Sequence, residues 1–202
     1  STAKDPAVSG SSSAIATASA SVPNAVSSAS ASAAIGIASS SAPVLTGPDG
    51  AVLPQTQAQP SVDSPAYQRG VRLLFEAIVK DDPEIARSFF FPVVAYEQVK
   101  AIEKPARDWR FRLWKNFARD VHEYHKQLGS DPSAAVLDHM DVRVKAAKWM
   151  KPGSEGNKLG YYRVTGTKIV GRKSNGARLQ LDLSSMISWR GEWYIVHLHG
   201  FQ

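Results

Sequence analysis

The segment YYRVTGTKIVGRKSNGARLQLDLSSMISWRGEWYIVHLH, residues 161–199, decides the fold of this chain. Apolar residues alternate with polar ones on both sides of Ser174-Asn175-Gly176, from Tyr162 to Val170 before it and from Leu179 to Leu183 after it. This alternation is typical of strands with one buried face, and an Asn-Gly pair between two such runs favours a tight hairpin. Arg190-Gly191 predicts another turn, followed by a last strand from Trp193 to His199. The C-terminal part is therefore predicted to be an antiparallel meander.

Before Gly129, apolar residues recur at the spacing of a helix. Ser64 followed by Pro65 is a helix-start signal. Apolar residues then recur on one helical face, at Tyr67, Val71, Leu74, Phe75 and Ile78. Asp82-Pro83 repeats the start signal for a shorter second helix, which would carry Ile85, Ala86, Phe89 and Phe90 and end at Phe91-Pro92. Two short helices are therefore expected to open the domain.

A longer helix is predicted from Pro105 to Leu128, with Gly129 as its stop. Its buried stripe is expected to contain Trp109, Leu113, Phe117, Val121, Tyr124 and Leu128. Residues 93–104, just before this helix, fit a helix and a strand equally well. After the turn at 130–132, a weak period of two at Val142, Val144 and Ala146 predicts the first strand.

Helices followed by hairpin strands predict an α+β domain, in which N-terminal helices pack on a curved, cone-like antiparallel sheet. FEAIVKDDPEIARSFF (75–90), the longer helix and the closing WRGEWYIVHLHGF (189–201) resemble, in this order, the nuclear-transport-factor-2-like superfamily, which includes polyketide cyclases and ketosteroid isomerases. The resemblance covers most of residues 64–202. It implies a cone-shaped pocket between the long helix and the sheet, which some members use for acid/base catalysis and others for ligand binding or dimerisation. No catalytic residue of the family aligns with a position here.

The first 63 residues have a different composition. Between Ser1 and Pro60 there are 14 Ser, 15 Ala and 6 Pro, no aromatic residue, and charge only at Lys4, Asp5 and Asp49. Such a segment buries too little apolar surface to offset its chain entropy. We therefore expect a disordered tether at 1–63, a flexible spacer or more rarely a sugar-carrying stalk, followed by a single domain at 64–202.

This kind of N-terminal spacer is typical of bacterial envelope proteins just after a cleavage site or a lipid-bearing cysteine. We accordingly expect a mature or truncated form of such a protein, located in the periplasm or on the outer surface. Contact with a membrane is expected only through an N-terminal anchor preceding this chain.

The predicted domain is basic. Residues 61–202 hold 23 of the 24 Lys and Arg and 16 of the 18 Asp and Glu, a formal net charge of +7. Such a charge favours anionic partners or, more simply, a solvated basic surface. The absence of Cys excludes disulfides, thiolate metal sites and a cysteine nucleophile. No phosphate loop, nucleophile elbow or membrane-spanning apolar run occurs, and no cofactor is predicted.

His197 and His199 are the best site candidates. They lie two residues apart on the last predicted strand, on the expected face of Trp193 and Ile195. They could line a pocket, ligate a metal or be ordinary hydrogen-bonded histidines. No third ligand is evident, so we predict no metal site. The predicted ligand-binding set, placed around the expected cone, is His197, His199, Trp193, Tyr124 and Trp109.

Two further clusters contain His and carboxylates. One superficially resembles a zinc-protease helix, but its histidines lie three apart where HExxH needs four, so a solvated helix face is the favoured interpretation. It consists of Asp120, His122, Glu123 and His125. The other, Asp138, His139 and Asp141, could transfer protons if it faced the cone, although a turn or cap role just before a strand is the simpler interpretation.

The run RDWRFRLWKNFAR, residues 107–119, interleaves basic and aromatic side chains. Such a pattern can grip phosphates and stack bases or sugars. On a helix, however, the aromatic residues would join the core while the basic ones cover a solvated face. The predicted anionic surface consists of Arg107, Arg110, Arg112, Lys115 and Arg119.

Three hypotheses of function follow. The first is a non-catalytic envelope module whose pocket binds a small apolar ligand or another envelope protein. The second is a cofactor-independent isomerase or lyase that uses a pocket Asp/His pair. The third is binding of an anionic partner through the basic helix. That partner could be an anionic glycan or lipid, or nucleic acid, which we consider the least favoured of them. A homodimer through the sheet face is a further expected assembly.

Overall fold

The structure is a computed structural model that describes residues 45–199. Most of the predicted tether, residues 1–44, lies outside the described residues. The helical elements are α1 (Pro65–Lys80), a 3₁₀ turn (Pro83–Ala86), α2 (Val93–Val99), α3 (Pro105–Asp108), a π-helix (Trp109–Trp114) and α4 (Lys115–Gln127). The strands are β1 (Val136–Asp141), β2 (Lys148–Met150), β3 (Tyr161–Arg172), β4 (Arg178–Trp189) and β5 (Glu192–His197). Short 3₁₀ turns occur at Pro132–Ala134, Val144–Ala146 and Ser154–Gly156.

The helices pack against a strongly curled antiparallel sheet that forms a half-barrel, which confirms the predicted α+β class. The strand order is β1-β3-β4-β5, and β2 also pairs with β3. In the first half of β4, Leu179, Leu181 and Leu183 are buried while the residues between them are exposed, as the alternation predicts. The β4–β5 turn places Arg190 and Gly191 at φ 51° and 80°, the left-handed pair that a two-residue hairpin needs.

Helix α1 begins as the sequence predicts. The Ser64 hydroxyl accepts a hydrogen bond from the Tyr67 amide at 3.1 Å and donates one to Glu192 Oε2 at 2.6 Å, so this cap also ties the helix to β5. The predicted apolar face, from Tyr67 to Ile78, is buried. Gly70 lies against the Phe89 ring, where a Cβ would stand 2.2 Å from Cδ2.

The predicted second helix is shorter than expected. It is a single 3₁₀ turn that ends at Ala86, and residues 89–91 run beside β5 instead. The Phe91 amide donates to the Ile195 carbonyl and the Ile195 amide to the Phe89 carbonyl, both at 2.9 Å. Because these bonds satisfy the outer edge of β5, pairing with the sheet overrides continuation of the helix. The ambiguous segment after Pro92 is helical, as α2.

The long predicted helix exists, but it contains a π-helical stretch at Trp109–Trp114. All six predicted stripe residues from Trp109 to Leu128 are buried. Trp109, Leu113, Phe117 and Val121 recur every four residues. Such a repeat drifts by about 40° per step around an α-helix of 3.6 residues per turn. The wider π turn reduces this drift and keeps Trp109 in the same buried stripe as Phe117.

The predicted first strand at Val142, Val144 and Ala146 is wrong. Those residues belong to a loop with a 3₁₀ turn, and β1 lies earlier, at Val136–Asp141. β1 pairs with β3 at residues 168–172 and β2 pairs with the other end of β3 at 161–163. The chain between β1 and β2 must therefore cross the middle of β3 without pairing to it, and alternating residues in this connection do not form a strand.

Residues 45–63 fell within the predicted tether, yet they lie against the domain. The Gln55 side chain donates to the carbonyls of Gly160 and Ser188 at 3.2 and 3.1 Å and accepts from the Arg190 amide at 2.7 Å. Leu45 and Val62 pack on the core. The described part of the domain thus begins well before Ser64, because one amide side chain reaches three backbone groups at the sheet's end.

Candidate functional site

A cavity of about 270 Å³ lies between the helices and the concave side of the sheet. The helical wall comes from α2, from Lys100 just after it and from the π-helix. The opposite wall comes from β3, β4 and β5, and Glu155 contributes from the 154–156 turn. Its lining consists of Phe91, Tyr96, Val99, Lys100, Arg112, Leu113, Glu155, Tyr161, Arg163, Ser185, Ile187, Val196 and His197. We call this space the central cavity.

Tyr96 and Arg112 line one side of the central cavity and form a triad with Asp108. Arg112 donates from Nε to Asp108 Oδ1 at 2.8 Å and from Nη2 to Oδ2 at 2.5 Å, a bidentate pair. The Tyr96 hydroxyl donates to Asp108 Oδ2 at 2.5 Å and accepts from Arg112 Nη2 at 3.0 Å. The Arg112 hydrogen bonds hold the pKa of Asp108 below its ordinary value, and burial raises that of Tyr96. The triad is thus locked with a charged carboxylate and a neutral phenol.

The other side is organised around Glu155. Its carboxylate pairs with Arg163 and accepts from the Tyr161 hydroxyl at 3.1 Å, and its carbonyl accepts from Lys100 Nζ at 2.9 Å. Glu155 adopts φ 55°, in the left-handed region that costs a non-glycine residue about 1 kcal/mol. Since three contacts converge on this strained residue, we infer that the turn is held in place by the cavity's polar side chains.

Lys100 is half-buried in the cavity wall and forms no ion pair within residues 45–199. Its ammonium donates to a neutral backbone carbonyl, and burial lowers its pKa below the ordinary value, while the Glu155 charge opposes this shift. Three cationic side chains, Lys100, Arg112 and Arg163, thus line the cavity with a single carboxylate, that of Glu155.

His197 is the one predicted ligand-binding residue that lines the central cavity. Ser185 pairs with His197 while the adjacent Met186 pairs with Ile195, so Val196 is an extra residue in β5. Because neighbours in β4 point to opposite faces, this bulge places His197 on the face opposite Ile195, and the predicted shared face is wrong. Burial, assisted by the Arg112 charge, lowers the pKa of His197 to about 4, so the imidazole is neutral at physiological pH.

The other predicted ligand-binding residues lie elsewhere. Tyr124 and Trp193 are buried in the core. The Tyr124 hydroxyl donates to the carbonyls of Asp182 and Leu198 and contacts His199 Nδ1 at 3.4 Å. His199 is exposed, and its amide donates to Asp120 Oδ2 at 3.3 Å. Trp109 is also buried and lines a different cavity. Tyr124 and His199 therefore contact each other, but the five predicted residues do not surround one cavity.

The predicted anionic surface is divided in a similar way. All five members are exposed on the helix, but only Arg112 also lines the central cavity. Arg119 pairs with Asp120 at 2.9 Å. Phe111 stands between them on the surface with 64% of its area exposed. The members that do not line the central cavity are Arg107, Arg110, Lys115 and Arg119.

No member of the two His/carboxylate clusters lines the central cavity. On α4, His122 pairs with Asp81 at 2.7 Å and His125 contacts the Ile78 carbonyl at 2.9 Å, so both tie α4 to the end of α1. Asp138, His139 and Asp141 are exposed. Asp138 lies inside β1 rather than before a strand, and it pairs with Arg172 of β3 at 3.0 Å. The predicted turn or cap role is therefore replaced by a cross-strand ion pair.

Sequence reasoning missed the residues that give the cavity its charge and polarity, above all Lys100, Glu155 and Arg163. For Lys100, the spacing of residues in the sequence contained a usable signal. Tyr96 and Lys100 lie four apart, so a helix from residue 93 would have placed both on one face beside Val99. No local signal connects them with Glu155 or Arg163, which arrive from the sheet side.

The arrangement can bind an anion beside an apolar wall. In residues 45–199 no group of three His, Asp or Glu side chains has metal-binding geometry. The helices of the same range are too short or too polar to span a bilayer. Buried Leu113 and Ile187 form part of the apolar wall. The neutral imidazole of His197 can accept a proton or a hydrogen bond from a bound molecule.

Comparisons of the chain with protein-family models, with curated proteins and with solved structures found no match.

Proposed function

We propose that the domain is a non-catalytic binding module whose central cavity takes up a small molecule with an anionic group and an apolar body. The half-buried Lys100 ammonium, which lacks an ion-pair partner in the described residues, is the observation that carries this proposal. The resemblance to nuclear-transport-factor-2-like proteins supports it, since that fold encloses a pocket between helix and sheet. An anionic group replaces the wholly apolar ligand that the sequence suggested.

The charge of the cavity selects the anion. Asp108 neutralises Arg112 and Glu155 neutralises Arg163, so among residues 45–199 no carboxylate contacts the Lys100 ammonium. A partly buried charge without a partner is costly, and an incoming anion offsets that cost. Because His197 is neutral, it adds no charge but can hydrogen-bond the ligand.

The size of the cavity limits the ligand. About 270 Å³ lies just below the roughly 300–1,000 Å³ of common ligand pockets, so a molecule of one ring or a short chain fits. Buried Leu113 and Ile187 would contact its apolar part. Aromatic carboxylates are the simplest molecules with both features.

The test is an NMR titration of isotopically labelled protein with benzoate and with its neutral counterpart benzamide. We expect benzoate to shift the resonances of the cavity residues with a dissociation constant of about 1 mM, typical of so small a ligand, and benzamide to bind about tenfold more weakly. Equal affinity for both would contradict selection of anions.

Substitutions locate the binding site. Lys100→Met keeps an unbranched side chain, one atom shorter, without the charge, and we expect it to weaken benzoate binding about tenfold or more. Lys104→Met is the matched control, since Lys104 is exposed outside the cavity. Unchanged binding in Lys100→Met would refute the role of this ammonium.

A second candidate function is cofactor-independent isomerisation, with His197 as the proton acceptor. The position of a neutral imidazole in the cavity favours it, whereas a pKa of about 4 makes that imidazole a weak base. Conversion of cyclohex-3-enone to its conjugated isomer, followed by ultraviolet absorbance, tests it. Activity that disappears in His197→Gln would favour the enzyme, and no turnover above buffer would leave the binding module.

We further propose that this module is located in a bacterial envelope at the end of its Ser/Ala-rich segment. The composition of residues 1–60 supports this location. Fractionation of the native organism, with sequencing of the mature N-terminus, tests it. Recovery in the cytosol without N-terminal processing would rule the location out while leaving the binding proposal intact.

A further inference from the structure

Three cations on the surface of the long helix, which α3, the π-helix and α4 form together, have no partner in the described chain. Arg107, Arg110 and Lys115 are exposed, and their side chains form no ion pair or hydrogen bond within residues 45–199. Arg107 and Arg110 are three residues apart and therefore neighbours on the helix surface, where like charges repel. This part of the helix thus carries a local excess of positive charge.

The carboxylates of the same stretch are already paired with other cations. Asp108 forms the bidentate pair with Arg112, and Asp120 pairs with Arg119 at 2.9 Å. Each of these pairs is neutral overall, so neither offsets the three remaining cations. Their charge has to be balanced by ions from the solvent or by an anionic partner.

Phe111 stands among these cations. Arg107 and Lys115 lie four residues before and after it, on the same helix face, and Arg110 precedes it directly. Phe111 is 64% exposed, and it is the one exposed Phe, Tyr or Trp in residues 45–199. An isolated exposed apolar residue is common on protein surfaces. An exposed ring among unpaired cations, however, combines the two features that hold a helix on an anionic bilayer.

The other aromatic residues of this run are already packed within the domain. Trp109 and Phe117 are buried. The half-buried Trp114 ring stacks on Trp109 with centroids 5.7 Å apart, and the Arg87 guanidinium carbon lies 4.0 Å from its centre. Single-stranded nucleic acid is held by stacking successive bases on several aromatic faces. A bilayer, by contrast, accepts one inserted side chain beside a basic patch. The surface therefore favours lipid over nucleic acid.

We propose that Phe111 and the three cations around it bind the surface of a membrane that contains anionic phospholipids. The Phe111 ring inserts among the headgroups, and Arg107, Arg110 and Lys115 contact lipid phosphates. Each cation near such a surface strengthens binding about fivefold, so the three together contribute about a hundredfold. The domain itself thus touches a membrane, which the sequence led us to expect only of an N-terminal anchor. This surface is independent of the central cavity, which it does not line.

The test is co-sedimentation of the full chain with vesicles over a range of lipid concentrations, in about 0.1 M salt. One set of vesicles mixes phosphatidylglycerol with phosphatidylcholine, and the other contains phosphatidylcholine alone. We expect binding to the anionic vesicles and none to the zwitterionic ones. The triple variant Arg107→Gln, Arg110→Gln, Lys115→Gln should weaken binding about a hundredfold. Phe111→Ser should weaken it about fivefold, the effect of partly burying one ring.

Matched controls come from other exposed positions. The triple variant Arg143→Gln, Lys145→Gln, Lys148→Gln removes the same charge elsewhere, and Val136→Ser removes an apolar side chain that is 50% exposed. Both should bind anionic vesicles nearly as well as the natural protein, and circular dichroism verifies that every variant folds.

Several results would overturn the inference. They are equal binding to both kinds of vesicle, unchanged binding in either helix variant, and an equal loss of binding in the matched controls. Tighter binding of a single-stranded oligonucleotide than of anionic vesicles, lost in the same helix variants, would assign the surface to nucleic acid instead. Both helix variants should keep their affinity for benzoate, so failure of this surface is distinguishable from failure of the central cavity.

Discussion

His197 should make the stability of this domain fall at acidic pH, and His197→Gln should remove that effect. Burial in the central cavity lowers the pKa of this imidazole to about 4 from an ordinary 6.5. As pH falls below 6.5 the unfolded chain takes up a proton that the folded chain refuses, so the unfolded state is favoured. The loss of stability therefore develops between about pH 6.5 and pH 4.

The size of the effect follows from the shift. A difference of 2.5 between 6.5 and about 4 corresponds to roughly 3.4 kcal/mol at 1.36 kcal/mol per pKa unit. The His197 side chain is only partly buried, so solvent screens part of this free energy. We therefore expect a loss of stability of about 2 kcal/mol by pH 4.5. Lys100 and Arg112 favour the neutral ring, whereas Asp120 opposes them.

The free energy of unfolding is measured at pH 7.5 and at pH 4.5 by urea unfolding, followed through tryptophan fluorescence. The free energy of unfolding of the natural protein minus that of His197→Gln should drop by about 2 kcal/mol between the two. Taking this difference cancels titrations common to both proteins, and His139→Gln controls for loss of an imidazole at an exposed position. A pH-independent difference, or an NMR titration of His197 with a midpoint near 6.5, would refute the reasoning.

Three further predictions test the packing. Gly70→Ala should destabilise by about 1–2 kcal/mol in urea unfolding, because displacing the buried Phe89 ring outweighs the gain of about 1 kcal/mol in helix propensity; a stabilised variant would contradict this. Gln55→Ala should cost about 2 kcal/mol through three lost backbone contacts, and exposed Gln57→Ala about zero; equal effects would show that Gln55 does not anchor the segment. Tyr67→Phe removes a buried hydroxyl that has no hydrogen-bond partner in the described part of the chain, so it should be neutral or stabilising, whereas Tyr124→Phe should lower the melting temperature; the reverse order would contradict the hydrogen-bond assignment.

The central cavity owes its shape to two departures from regular structure. The π-helix turns Arg112 and Leu113 into the cavity from the helical side, and the bulge at Val196 turns His197 into it from the sheet side. The π-helix widens a helical turn, and the bulge adds one residue to a strand. Each therefore changes the direction of the side chains beside it. Deleting Val196 should therefore remove the bulge and restore strict alternation, while His197 stays opposite Ser185 on the cavity face.

Local chemistry in the sequence was enough for most of the architecture. Ser64-Pro65 predicted the start of α1, Asn175-Gly176 predicted the main hairpin, and the spacing of leucines at 179–183 predicted the buried face of β4. These features depend on backbone preferences and on the periods of helix and strand, which act over a few residues. The overall α+β class follows from their order along the chain.

The cavity, by contrast, depends on groups that are distant in sequence. Lys100 meets the backbone of Glu155 across 55 residues, and Gln55 meets Arg190 across 135. Such contacts are decided by how the sheet curls and by which strand pairs where, since no short-range preference links their members. The same long-range pairing stopped the second helix at Ala86 and placed His197 and Ile195 on opposite faces. Only the tertiary structure could therefore choose the residues that surround the site.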